Sequence, residues 1–181
     1  MTHIHVRELS SAAEWEQALA LLSSVFVGEG YSQASNAERL FQRERLQGQG
    51  ELLVVTSQDG TVRGVVLLLD PASDLRQVAC GSGEDDFRLL AVTPSARGAG
   101  LGRLLVEECG RRAAARGAQR LVLATQPTMT RAQELYEGLG FSLDATRDWI
   151  LPSGGARLVF VRDLVRGCVG VGSWELGPGR S

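Results

Sequence analysis

The chain has 181 residues, 44% of them hydrophobic, with 19 basic against 21 acidic side chains and a formal charge of −2. That length suits one domain with a real core, and so balanced a charge supplies no field for nucleic acid. Every basic residue is arginine, and Cys80, Cys109 and Cys168 have no CxxC spacing, which excludes a disulfide framework or zinc cluster and leaves no metal expected.

The opening MTHIHVRELSSAAEW lacks an apolar signal region, and no later run approaches a membrane span. A soluble, cytoplasmic protein with no membrane partner is expected. Ile4–Leu9 alternates like a strand, and His3 and His5 on it read as surface residues. Ser11-Ala12-Ala13-Glu14 is a capping box that opens a helix carrying Trp15, Leu19, Leu22 and Phe26 at helical spacing. The Gly/Ser-rich stretch Val27 to Ala34 breaks it. Ser35-Asn36-Ala37-Glu38 is a second capping box, predicting a charged helix to about Leu46. Glu51–Ser57 and Thr61–Leu69 are strands around the hairpin signal Gln58-Asp59-Gly60. Asp70–Glu84 is a polar loop.

The most informative stretch comes next. An apolar strand, Phe87–Val92, leads through Thr93-Pro94 into Arg97-Gly98-Ala99-Gly100-Leu101-Gly102 and then an amphipathic helix. Glycines allow a tight turn and leave peptide N–H groups open to a ligand. The helix aims its unpaired N–H groups and positive dipole end into that turn, so the arrangement is a pyrophosphate cradle. A Walker A loop is excluded because it needs lysine. A G-x-G-x-x-G fingerprint is excluded because counting from Gly98 or Gly100 puts Arg103 or Leu105 at the third glycine. Arg103, Arg111, Arg112, Arg116 and Arg120 gather along and beyond the following helix and read as a solvated face, with some near a bound phosphate as the alternative.

A strand Leu121–Thr125 follows. Thr130-Arg131-Ala132-Gln133 predicts the cap of a last helix with Ala132, Leu135, Tyr136 and Leu139 on one face. Phe141–Ala145 and Ala156–Arg162 read as a closing antiparallel pair. The Gly-rich tail from 165 to 181 is expected to be mobile, although its apolar patch Cys168–Trp174 would also suit a dimer interface. The order is α/β throughout.

The motif Arg-x-x-Gly-x-Gly after Ala91-Val92-Thr93-Pro94, with Ala132-Gln133-Glu134-Leu135-Tyr136-Glu137-Gly138-Leu139-Gly140-Phe141 downstream, resembles the GCN5-related N-acetyltransferase (GNAT) superfamily. The resemblance covers residues 3–164 and implies an acyl-CoA N-acyltransferase fold: a mixed, mostly antiparallel central sheet flanked by helices. It further implies acetyl-CoA as co-substrate. Arg97, Gly98, Ala99, Gly100, Leu101, Gly102 and Arg103 would wrap the pyrophosphate. The strand edge at Leu90, Ala91 and Val92 would pair with the pantetheine amides, and the Leu90 N–H would bond the acyl carbonyl. The asparagine that many relatives place after the fifth strand is replaced here by Thr125-Gln126-Pro127-Thr128-Met129-Thr130, in which Gln126 or Thr130 offers a polar substitute.

Attack of an amine on a thioester needs the partners held together, a proton removed from the amine, and stabilisation of the carbonyl oxygen and the departing thiolate. The resemblance assigns Tyr136 as the acid for the thiolate. A phenol titrates near ~10 and is protonated at neutral pH; a core aromatic is the alternative role. Asp86, six residues before Val92, is the candidate base, acting through a water, with Asp85 and Glu84 as substitutes and a solvated acidic turn as the alternative. In this fold the acceptor is shaped by the first helix–helix connection and the last strand pair. Glu29, Asp148 or Asp86 would then pair with a cationic amine, Tyr31 or Trp149 would wall it, and Arg147 would instead hold a carboxylate. The expected function is acetyl transfer to a small-molecule amine or a protein N-terminus, by a monomer or homodimer. A noncatalytic acyl-CoA-binding domain and an enzyme using a longer acyl-CoA are the competing readings.

Overall fold

The computed structural model describes residues 5–78, 81 and 83–164. His3, Cys80, Cys168, the patch 168–174 and the tail from 165 lie outside them. Eight strands form one sheet: β1 (Val6–Glu8), β2 (Gly50–Thr56), β3 (Val62–Leu69), β4 (Glu84–Val92), β5 (Arg120–Thr125), β6 (Ser142–Leu143), β7 (Trp149–Ile150) and β8 (Ala156–Asp163). Their order is β1-β2-β3-β4-β5-β8-β6, with β7 also on β8. Every pairing is antiparallel except β4 with β5. The helices are α1 (Ala12–Gly28), α2 (Ala34–Leu40), α3 (Arg43–Leu46), α4 (Leu101–Ala115) and α5 (Thr130–Gly138). This is the mixed, mostly antiparallel architecture expected.

The central strands read as unbroken apolar runs because helices cover both faces. In β2, Leu53 and Val55 turn toward Leu105 and Val106 of α4, while Leu52 and Val54 turn toward Leu21 and Leu22 of α1. Side chains alternate across a strand, so one run of four apolar residues feeds two cores. Leu22 and Leu105 are fully buried, each worth roughly 1.5–3 kcal/mol of burial. No helix among the described residues is long and apolar enough to cross a membrane.

The first capping box forms: Ser11 Oγ accepts the Glu14 N–H at 3.2 Å, and the Glu14 carboxylate accepts the Ser10 N–H at 2.9 Å while pairing with Arg7. The second does not. Helix α2 starts at Ala34 after Gln33, with no side-chain cap, and the chain bends at Phe41 (ψ 56°) before α3. Phe41 turns inward against Phe26, ring centroids 5.7 Å apart, so packing overrides the local helical signal. Helix α5 likewise follows Met129 without a side-chain cap, and Gln133 Nε2 instead donates to the carbonyls of Gln126 and Pro127 at 3.0 and 3.1 Å. The polar loop after β3 sends Leu75 and Val78 into the core.

Candidate active site

Strand β4 changes partners along its length. Its parallel register with β5 runs only from Glu84 opposite Arg120 to Asp86 opposite Val122. Beyond that point β4 continues to Val92 and β5 to Thr125 without pairing, because β5 follows β8 instead. On the other edge, the register with β3 jumps between Val65↔Ala91 and Leu67↔Arg88. Leu89 and Leu90 therefore stand opposite Val66 alone, and Leu89 has φ +59°, the sole positive φ among the described non-glycine residues. A β-bulge of this kind bends and re-aims a strand. The gap it helps open exposes a strand edge in the middle of a sheet.

The glycine turn sits at the end of that gap. Gly98 and Gly100 both have φ +81°, and Gly100 caps α4 in the left-handed conformation. A Cβ at either position would meet nothing within 4 Å, so backbone conformation rather than room demands glycine. The first helical bond of α4 is Leu104 N–H to Gly100 O at 3.0 Å. The N–H groups of Leu101, Gly102 and Arg103 consequently lack helical acceptors and face the positive end of a 15-residue helix.

Two cavities meet at Leu90, Tyr31 and Met129. The larger, about 460 Å³, is walled by Leu90, Ala91 and Val92 on one side and by Arg97, Gly98, Gly100, Leu101, Gly102 and Arg103 on another. The smaller, about 140 Å³, lies between the diverging strands and contains Tyr136. Nine of the ten expected cofactor-binding residues thus share one wall system. Ala99 is the exception and faces a separate depression beside His5 and Asp59. Arg97 is held by an ion pair with Glu29 and donates to the Val92 carbonyl at 3.3 Å. Arg103 donates to the Gly138 carbonyl at 3.2 Å. Arg131, at the start of α5, also lines the larger cavity; nothing in its helical position marked it out.

Tyr136 packs against Phe87, Phe141 and Phe160 at centroid distances of 5.8 to 6.1 Å. It is therefore both a core aromatic and a cleft residue. Its hydroxyl has no hydrogen-bond partner among the described residues, and burial pushes its pKa well above the ordinary phenol value. It is a protonated acid at any physiological pH.

The acidic candidates are placed otherwise. Asp86 is 1% exposed, lies outside both cavities, and is paired with Arg76 at 3.1 Å. Asp85 pairs with Arg116 at 2.8 Å, and Glu84 with Arg147 at 2.9 Å. Three adjacent acids, expected to offer a carboxylate base, are instead held by arginines packed around the strand's start and line neither cavity. Burial raises the Asp86 pKa while Arg76 opposes that rise. Arg147, bound to Glu84, is likewise taken from the acceptor role. Asp148 accepts the Val159 N–H at 2.8 Å, and Trp149 packs on Val122 and Val159, so neither reaches the cleft. Glu29 lines the larger cavity but is committed to Arg97. Tyr31 alone of the substrate candidates stands at the junction. Gln126 lines the smaller cavity and donates to the Tyr31 carbonyl at 2.7 Å, tying the two loops that flank it, whereas Thr130 lines neither cavity.

A parted parallel strand pair with a bulge, a helix N-terminus of orphan amides and a buried phenol thus lie along one pair of adjoining cavities. The chain belongs to the Acetyltransferase (GNAT) family, whose sequence profile matches residues 15–141; membership implies acyltransferase activity. Its fold is similar to that of a GNAT-family acetyltransferase from Staphylococcus aureus Mu50 (TM-score 0.70, 16% identity, covering 90% of this chain and 100% of that one). It is also similar to an aminoglycoside 6'-N-acetyltransferase in complex with coenzyme A (0.67, 17%, 89% and 97%). A third similar structure is the ribosomal-protein-S18-alanine N-acetyltransferase of Escherichia coli (0.62, 16%, 90% and 94%). No curated protein sequence matches this chain significantly.

Proposed function

We propose that the protein is an N-acetyltransferase moving an acetyl group from acetyl-CoA to a primary amine of a small molecule. The observation that carries this reading is the parting of β4 from β5 beyond Asp86, which opens an unpaired strand edge between the glycine cradle and Tyr136. An extended amide-bearing arm adds to such an edge as another strand does. The residues present fit that arm: six successive backbone N–H groups, Gly98 to Arg103, take no backbone acceptor among the described residues and suit a pyrophosphate. The coenzyme A held by the aminoglycoside acetyltransferase supports the same ligand class here.

The thioester supplies the activated acyl carbon. The neutral amine attacks it; a C–N bond forms, the C–S bond breaks, and the amine's surplus proton leaves to solvent. Leu90, at the bulge, lines both cavities, and its N–H would stabilise charge on the carbonyl oxygen. Tyr136 gives its proton to the departing thiolate and recovers one from water. With the acids of β4 committed to arginines, water takes the amine's proton.

A thermal-shift titration with acetyl-CoA beside CoA, succinyl-CoA, ATP and NAD tests the cradle, because a ligand bound only by the folded state raises its stability. Selective stabilisation by acetyl-CoA, followed by thiol release with an amine panel, supports the reading. Stabilisation without thiol release from any amine supports a binding domain instead. No shift with any CoA species sinks the assignment.

A further inference from the structure

The smaller cavity is charged in a way that the family assignment does not predict. Two arginines line it, Arg88 from β4 and Arg157 from β8, and no aspartate or glutamate does. Neither forms an ion pair among the described residues. Arg88 spends one N–H on the Leu75 carbonyl at 3.0 Å, and Arg157 one on the Ala156 carbonyl at 2.9 Å. A guanidinium has five donors, so each keeps several for a ligand. Both are partly buried, and burial pulls both pKa values down; Asp86 supports the Arg88 charge while Arg157 opposes it. Two like charges drawn from water into one small cavity are unfavourable unless an anion joins them. A second observation lies beside them: Thr125 is 4% exposed, lines this cavity, and its Oγ1 has no hydrogen-bond partner. A buried hydroxyl left unpaired in this way waits for a polar group.

Resting on the acyltransferase reading above, we propose that this cavity selects an acceptor bearing a carboxylate beside its amine, with Arg88 and Arg157 binding the carboxylate and Thr125 Oγ1 receiving an N–H of the amine. Arginine suits that task because its planar fork matches a carboxylate in two parallel bonds. The amine would then share the smaller cavity with Tyr136 and with Leu90, which lines both cavities. The volume, about 140 Å³, lies below the roughly 300–1,000 Å³ of sites for drug-sized ligands, so the acceptor is of amino-acid size. The positive surroundings also favour the neutral amine over the ammonium, which supports water as the proton acceptor.

The test follows thiol release from acetyl-CoA with matched trios: free amino acids, their carboxamides and their decarboxylated amines. The expected result is a kcat/KM preference of about tenfold or more for the carboxylate. Arg157→Ala raises the acceptor KM about tenfold or more and abolishes that preference, leaving the KM for acetyl-CoA unchanged. Arg157→Glu reverses the preference toward the decarboxylated amine. Retained stabilisation by acetyl-CoA shows that each variant is folded. Carboxamides or decarboxylated amines used as well as the acids, or a preference untouched by Arg157→Glu, overturns the inference while leaving acetyl transfer intact. A stronger preference for an amine phosphomonoester, such as phosphoethanolamine, overturns the carboxylate assignment. Absence of both acetyl-CoA stabilisation and thiol release overturns the acyltransferase reading and this one with it.

Discussion

Glu84 to Asp86 and Phe87 to Val92 belong to one strand and do opposite work. The first segment is zipped to β5 and carries three carboxylates, each bound by an arginine at 2.8 to 3.1 Å. The second has left β5, bulges at Leu89, and offers its backbone edge to the cleft. Side-chain charge clamps the start of β4, and main-chain polarity at its end faces the cleft. The lesson is that an acid a few residues from a bulge is not a base by proximity. Access decides, and Asp86, 1% exposed, lines neither cavity.

The contrast breaks most visibly at Asp86. Asp86→Ala leaves the Arg76 guanidinium without its carboxylate and is expected to cost about 3 kcal/mol of unfolding free energy. Urea unfolding checks that loss, and the pH dependence of kcat in the folded fraction is expected to be unchanged. A flattened pH–rate profile would restore Asp86 as the base. Tyr136→Phe tests the other half. About a hundredfold loss of kcat is expected, equivalent to about 2.7 kcal/mol of barrier, with acetyl-CoA affinity and stability little changed because the hydroxyl has no partner to lose. An equal loss of stability and activity would make Tyr136 a core residue only.

Gly100→Ala sharpens the picture of the cradle. A side chain at φ +81° costs about 1–2 kcal/mol in the left-handed region, although nothing blocks the Cβ itself. A lower melting temperature and a smaller acetyl-CoA shift are expected, both from one displaced turn. The smallest effect lies far from β4. Arg7 holds the Glu14 carboxyl at about 2, and Arg111 holds that of Glu108 at about 2. Because both folded pKa values lie below the ordinary glutamate value, their contribution is complete above about pH 4.5. It is lost as pH falls toward 2. Asp86, raised by burial, acts in the opposite sense: the folded state binds its proton more readily, so its contribution weakens as pH rises through the carboxylate range. Glu14→Gln is expected to make the acid limb of a urea-unfolding series shallower and to cost about 1 kcal/mol or less at pH 7.

Much of this was legible locally. The alternation of β1, the Ser11 cap, the hairpin at Asp59-Gly60 and the glycine cradle each depend on residues a few positions apart, whose preferences act without the rest of the fold. Leu90 to Val92, Gly98, Gly100 to Arg103 and Tyr136 were singled out through the resemblance, whose motifs lie on one strand, turn and helix and one downstream helix, and the structure lines two adjoining cavities with them. What escaped needs distant partners. Phe41 breaks a helix because Phe26 receives it. Asp86, Asp148, Trp149 and Glu29 looked available only because Arg76, the Val159 N–H, the Val122–Val159 cluster and Arg97 are remote in sequence. Arg88 did carry a signal, a lone charge inside the apolar run Phe87–Val92, and an arginine there implies a cavity or a counter-ion. Whether it would meet Asp86 or Arg157 depended on which edge of β4 stayed paired, and hydrogen bonding between strands sets that only once the sheet has assembled. The sequence by itself determined the strand–turn–helix and its row of unpaired N–H groups, because those depend on neighbours along the chain; the tertiary structure alone decided which charges are spent in clamping the fold and which are left facing the cleft.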